Sequence, residues 1–231
     1  LPTRNAQPAL IYRSFAFGDL LALHMLDTRH IGRDKQLDYT QFMTAQGLDA
    51  AAFTAALGDP TRQLLGAQQT QWLQQQLGTS GATWQVLGQQ VLMGRMNVPA
   101  PILMDVLAPG SGVSVSAYAA LVAKAQQTPA ALTPQEQAIL AQPAIPFNLD
   151  AWDGYAAARE TVLGMARALQ KNLVVLAGDT HNAWANELQD LQGNPVGVEF
   201  ATSSVSSPGF EEILPSEDPA MLAGAFQQLI P

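Results

Sequence analysis

The sequence predicts an α/β fold, and three features predict it. Four short apolar runs have strand length, helical periodicities lie between them, and three of the runs are Val/Leu-rich and close at Gly, Asp or Ser. Strands that alternate with helices argue for a layered α/β architecture.

The first run is "LLALHMLD" (20–27) and the second "WQVLGQQVLM" (84–93). The third is "NLVVLAGD" (172–179) and the fourth "VGVEFATS" (196–203). Short Val/Leu-rich runs suit strands covered on both faces. Between the first two, "TRQLLGAQQTQWLQQQLG" (61–78) sets Leu65, Trp72, Leu73 and Leu77 on roughly one helical stripe. Its glutamines face the other way and read as solvated surface, with Gly78 as the C-cap. Residues 97–150 differ, with seven prolines, a "PGSG" turn and two modest helical pieces, 117–127 and 134–140. This stretch reads as an insertion or lid over one end of the sheet, or as a plain surface excursion. A helix follows in "DGYAAARETVLGMARALQK", opening at Asp153 as N-cap and closing with Lys171 in its last turn. After the third run the chain breaks at Gly178, and the residues beyond His181 read as a helix.

The 231 residues suffice for one sizeable domain or two small ones. Apolar residues make up 48% and charged residues 13%, which fits a folded chain. The net charge is −8 with 11 Lys plus Arg, so no basic surface for a nucleic-acid backbone is expected. An anion site must be built locally, from metals, single arginines or helix N-termini. The absence of cysteine excludes disulfides and Cys nucleophiles. No apolar run has the length of a membrane span. The start "LPTRNAQPALIYRSF" lacks a basic region followed by an apolar one, as a leader would have.

Ligand sites of open α/β sheets gather at the carboxyl ends of strands. Two runs end there in charged clusters, "MLDTRH" and "LAGDTH". In extended backbone, positions i and i+2 point to the same side, so Asp179 and His181 can face one point. A carboxylate and an imidazole together suit a first-row metal or a mixed-metal pair, and a helix start beyond them adds N–H groups for an anion. Equally, Asp179 can cap that helix with His181 a turn residue. The first cluster supplies Asp27, Arg29, His30, Arg33 and Asp34. Arg29 can grip a phosphate oxygen pair with its fork, or Asp27–Arg29 and Arg33–Asp34 can form a surface network. His24, inside an apolar run, reads as a satisfied core histidine. Trp152 and Tyr155 in "DAWDGY" can wall a pocket or fill the core.

Six blocks in order resemble the PhoD-like alkaline phosphatases and phosphodiesterases, a branch of the calcineurin-like metallophosphatases. They are "YRSFAFGDLLALHMLDTRHIGRDKQ", "LLGAQQTQWLQQQL", "TWQVLGQQVLM", "DAWDGYAAAR", "VVLAGDTHNAWA" and "VEFATSSVSSPG". "LDTRHIGRDKQ", "WDGY" and "GDTH" are the most telling. The resemblance implies a calcineurin-like β-sandwich of mixed sheets flanked by helices, with a dinuclear site between the sheets. It implies hydrolysis of phosphate mono- or diesters by a metal-activated hydroxide, iron and calcium as the metals, and a periplasmic or secreted location. By matching motifs, Asp179 and His181 are metal ligands, Arg29 faces phosphate with Asp27 beside it, and Trp152 and Tyr155 line the substrate.

A metal-bridging Asp in a "GDYIYE"-like stretch and a "WDDHE"-like stretch, both usual in the family, are not found. Residues 1–231 are therefore expected to be the C-terminal portion of a catalytic domain, with further ligands ahead of Leu1. Such a chain is expected to bind metal weakly, to turn over little ester alone, and to associate with itself or with the missing half through exposed apolar sheet. The rival reading is a degenerate phosphatase-like domain with a binding role. A serine hydrolase built on Ser14 is disfavoured, because G-x-S-x-G is absent.

Overall fold

The computed structural model describes residues 10–44 and 47–209. Of the opening stretch read for a leader, residues 1–9 lie outside that set. The elements in chain order are β1 (Arg13–Phe17), β2 (Leu21–Met25), β3 (Met43–Thr44), β4 (Gly47–Leu48), α1 (Ala50–Leu57), α2 (Gly66–Thr79) and β5 (Trp84–Gly88). Then come β6 (Asn97–Pro99), α3 (Ala100–Leu107), α4 (Val115–Gln127), α5 (Pro134–Leu140) and β7 (Ala144–Pro146). The chain closes with α6 (Ala156–Ala168), β8 (Asn172–Ala177), β9 (Trp184–Gln189) and β10 (Pro195–Ala201). The described chain divides into two compact units: residues up to Arg95 with Asn148–Ser207, and Met96–Phe147 with Pro208 and Gly209.

The first unit carries a six-stranded mixed sheet in the order β1-β2-β5-β8-β10-β9. The four inner strands run parallel, while β1 and β9 pair antiparallel at the two edges. All four expected runs are strands, each trimmed at its carboxyl end. One face is closed: His24, Gln85, Leu87, Leu173, Val175, Leu188 and Glu199 are buried on it. The apolar stripes of the helices, Leu73 and Leu77 of α2 and Val162, Leu163 and Ala166 of α6, are buried too.

Two elements differ from expectation. The residues after His181 form strand β9, not a helix. "WANELQ" holds good helix formers, but antiparallel pairing with β10 supplies ladder hydrogen bonds that override that weak preference. The hairpin is closed by Asp190, whose Oδ1 accepts from the Gln192 and Asn194 N–H groups at 3.0 and 2.8 Å. Secondly, Asp153 does not cap α6. It lies in a 3-10 turn over Trp152–Tyr155, and the helix starts after Tyr155 without a side-chain cap. Gly154 in that turn leaves no room for a side chain, since a Cβ would stand 1.9 Å from the Leu149 carbonyl oxygen.

The second unit joins the β6–β7 ribbon to α3, α4 and α5. Ile102, Val115 and Tyr118 form its core, with Val122, Ile139 and Leu140 packed around them. Thr133 and Glu136 make a capping box at the start of α5. Lys124 reaches Glu136 at 2.8 Å and, with the Thr133 N–H, holds its carboxyl down at about 2. Asn148–Asp150, assigned to the insertion on sequence, fall in the first unit.

Candidate functional site

The parallel strands β2, β5, β8 and β10 end on one edge of the sheet, and the segments leaving them carry the candidate residues. The segment after β2 is held from both sides by glutamine amides. Gln69, from α2 and 1% exposed, accepts from the Asp27 N–H and donates to the Asp27 carbonyl, both at 2.8 Å. Gln90 accepts from the Thr28 N–H at 2.8 Å and donates to the Leu26 carbonyl at 3.0 Å. The fully buried Asp27 carboxylate then shapes the turn: Oδ1 accepts from the N–H groups of Arg29 and His30 at 2.9 and 2.8 Å. Its Oδ2 is buried with no hydrogen-bond partner among the described residues. Further along, Gly32 and Gly66 both take positive φ, +78° and +72°, and press together. A Cβ on Gly32 would stand 2.5 Å from the Leu65 carbonyl oxygen. Only glycine allows this approach at this φ.

This frame presents Arg29. One arm of its guanidinium donates to Asp150 Oδ2 and the other to Asp179 Oδ1, the second at 2.6 Å. Burial works against its charge, but Asp150 and Asp179 outweigh burial and hold its pKa above the ordinary arginine value. Asp150 is shared: Arg33 donates to its Oδ1 and to its backbone carbonyl, the latter at 2.9 Å. Arg33 lies over the Tyr155 ring at 5.0 Å and Arg62 over the same ring at 4.8 Å. An alternating chain results, Arg33–Asp150–Arg29–Asp179. It differs from the surface pairs read from sequence: Asp27 takes the Arg29 N–H rather than its guanidinium, and Asp34 takes the Gln63 N–H at 2.7 Å.

Asp179 and His181 follow β8 in a turn, not in extended backbone, with φ of +75° and +64°. The same-side argument for extended positions therefore does not apply, and with β9 in place of a helix no helix start adds N–H groups here. Asp and His tolerate the left-handed region better than most residues, at a cost of about 1–3 kcal/mol each. The His181 carbonyl is fixed by the Ser204 N–H at 3.0 Å, which ties the turn to the segment after β10. Among the described residues no group of three or more His, Asp or Glu stands close enough to hold a metal ion. One carboxylate and one imidazole fit as part of a donor set, since ions of this kind take four to eight positions.

Trp152 and Tyr155, expected to line substrate, are both fully buried. Trp152 donates through Nε1 to Gln89 at 2.9 Å, and the Tyr155 hydroxyl donates to the Asp34 carbonyl at 2.8 Å. His24 is a core histidine: 1% exposed, it is bonded to Ser14 Oγ at 2.7 Å and Gln85 Oε1 at 3.0 Å, and burial lowers its pKa. That contact is what Ser14 does here. His30 places Nδ1 3.2 Å from Asp27 Oδ1 and is otherwise exposed. Sequence reasoning missed Asp150 and the structural glutamines. "LDAWDGY" held the signal for Asp150, an aspartate three residues before another in a block already singled out. Gln69 and the "GQQV" pair gave none, because a glutamine in a glutamine-rich helix reads as surface.

A mixed sheet flanked by helices, with Arg, Asp and His gathered at the carboxyl ends of its parallel strands, defines a mixed α/β protein with its polar cluster where such sheets carry their sites. More particularly, the chain belongs to the PhoD-like phosphatase family, whose model matches residues 1–228. It is similar to alkaline phosphatase D of Bacillus subtilis (strain 168), 29% identical over 210 residues, which is 89% of this chain and 27% of that protein. It is also similar to a solved structure described as "Structure of PhoD", with a TM-score of 0.59, 28% identity, and coverage of 93% of this chain and 34% of that one. The chain thus spans about a quarter to a third of the length of these relatives.

Proposed function

We propose that this chain is the C-terminal part of the catalytic domain of a metal-dependent phosphoric ester hydrolase acting on phosphate monoesters or diesters. The observation that supports this most is the meeting of Arg29 and Asp179, 150 positions apart, at 2.6 Å on the carboxyl edge of the sheet of a PhoD-like chain. Asp179 and His181 would contribute to holding metal, iron and calcium by family resemblance. A bound metal lowers the pKa of water and neutralises phosphoryl oxygens.

The chain's own residues have separate tasks. Arg29, held by Asp150 on one arm, would turn its other arm to a phosphoryl oxygen once Asp179 binds metal, and meet charge as it builds there. Asp27, locked under Gln69, fixes the turn that carries Arg29. Trp152 and Tyr155 support the site from within, through Gln89 and the Arg33 stack, so substrate contact by either requires an opening of their packing.

The calcineurin-like sandwich belongs to the same proposal. The outer face of the sheet carries Phe15, Phe17, Leu23, Trp84, Val174, Leu176, Val198 and Phe200, of which Phe17, Leu176 and Phe200 are 58%, 44% and 52% exposed. Parallel strands are ordinarily covered on both faces, so a second layer is expected to pack here, from the remainder of a longer protein or from another copy. A periplasmic or secreted location is part of the same proposal, by family resemblance; among the described residues no helix is long and apolar enough to cross a membrane. The second reading, a phosphatase-like domain that binds without turnover, draws on Asp179 being already paired with Arg29.

The test is hydrolysis of a chromogenic phosphate diester and monoester by the longest natural form of the protein, with and without chelator. Chelator-sensitive turnover supports the enzyme. Stoichiometric metal with no turnover of either ester supports the binding reading.

A further inference from the structure

Resting on the assignment of Arg29 to phosphate, we infer that Asp150 is the positioning residue of the site: it keeps the Arg29 guanidinium at the sheet edge while Asp179 is released to another cation. Arg29 is divided between two carboxylates of unequal anchorage. Asp179 sits in a left-handed turn at φ +75° and is gripped by one Arg29 arm. Asp150 is braced on several sides. Its N–H donates to Asn148 Oδ1 at 2.9 Å, and Arg33 holds both its carboxylate and its carbonyl. Arg33 in turn donates to the Thr28 carbonyl at 3.1 Å and lies on the Tyr155 ring.

Charge makes the consequence specific. Arg29 and Arg33 balance Asp150 and Asp179 in the chain as described. When Asp179 turns to a different cation, one arginine charge is left without its carboxylate, and the freed arm of Arg29 faces the place Asp179 left. A tetrahedral oxyanion is the ligand whose charge and acceptor oxygens suit that arm. Without Asp150, Arg29 would follow Asp179 or swing into solvent, and the anion would meet an unanchored side chain. Cation and oxyanion binding therefore support each other through Arg29, with Asp150 as the fixed end.

The experiment uses the longest natural form of the protein and reads competitive inhibition by inorganic phosphate, KM and kcat separately, and metal content. Asp150→Asn is expected to raise both the phosphate inhibition constant and KM about tenfold, the equivalent of one lost charge-assisted contact, with metal content unchanged. Asp150→Glu keeps the charge and is expected to recover part of the loss. Arg29→Lys raises the same constants, and the double variant is no worse than Arg29→Lys alone, because both substitutions remove one interaction. Arg62→Met, which unpacks the far side of Tyr155, is expected to lower the melting temperature and leave the phosphate constant in place. The inference is overturned if Asp150→Asn leaves the phosphate constant and KM within about twofold. It is also overturned if Asp150 and Arg29 substitutions add, or if Arg62→Met shifts the constants as far. Should Asp150→Asn fail to fold, Asp150→Glu against Arg29→Lys carries the same additivity comparison. If the unsubstituted protein neither binds phosphate nor hydrolyses ester, the phosphatase reading itself falls, and this inference with it.

Discussion

Arg29 joins a loop after β2 to a turn after β8 through a 2.6 Å contact with Asp179, and its other arm holds Asp150. Half of this was legible in the sequence. The spacing of "LDTRH" and "GDTH" marked Asp27, Arg29, Asp179 and His181, because short charged clusters after apolar runs fall at strand ends. The pairing itself was not legible, since no local rule brings residues 150 apart into register. His24 offers a prediction at this scale. Burial lowers its pKa below the ordinary 6.5, so the unfolded chain takes up a proton that the folded chain refuses. Its contribution is full above pH 6.5 and is lost as pH falls below it toward the folded value. The urea midpoint is expected to drop between pH 7.5 and 5.5, and His24→Gln to flatten that drop. An unchanged slope in the variant would assign the effect to other groups.

Elements show where pattern reading succeeds and fails. The four inner strands were readable because Val/Leu runs in a buried parallel sheet are nearly continuous. The edge strands were not: β1 was passed over and β9 was read as a helix, because half-exposed edges carry mixed residues and depend on pairing rather than composition. The Gly32–Gly66 contact matters most for the site, because it clamps the Arg29 loop to the start of α2. Gly32→Ala must relieve both a backbone clash and a strained φ. A loss of about 3 kcal/mol in unfolding free energy is expected. A loss below about 1 kcal/mol would mean that this contact yields easily. The cluster around Glu199 is the counterpart on β10. Burial raises its pKa, and three donors oppose that shift: the Met93 and Gly94 N–H groups and Asn186, at 2.6, 2.7 and 2.9 Å. It ties the segment after β5 to β9 and β10.

On the scale of the molecule, the sheet is closed on one face and apolar on the other. The exposed Phe17, Trp84, Leu176 and Phe200 share that outer face, and clustered exposed apolar side chains mark a surface suited to association. The chain on its own is expected to self-associate in sedimentation; a single sharp monomer over a wide concentration range would contradict a missing layer. The same reasoning predicts that these 231 residues alone bind metal weakly and turn over little diester. The family could be read from six ordered blocks, whereas the exposed outer face could not, because the alternation of Leu, Val and Phe along a strand does not say which face a neighbour covers. The most direct test of the central claim, that Asp179 belongs to a metal site served by Arg29, is metal content by elemental analysis on the longest natural form and its Asp179→Asn variant. The account predicts bound metal in the first, most of it lost in the second, with diester turnover falling at least about a hundredfold. Equal metal in both proteins, with turnover intact, would contradict it.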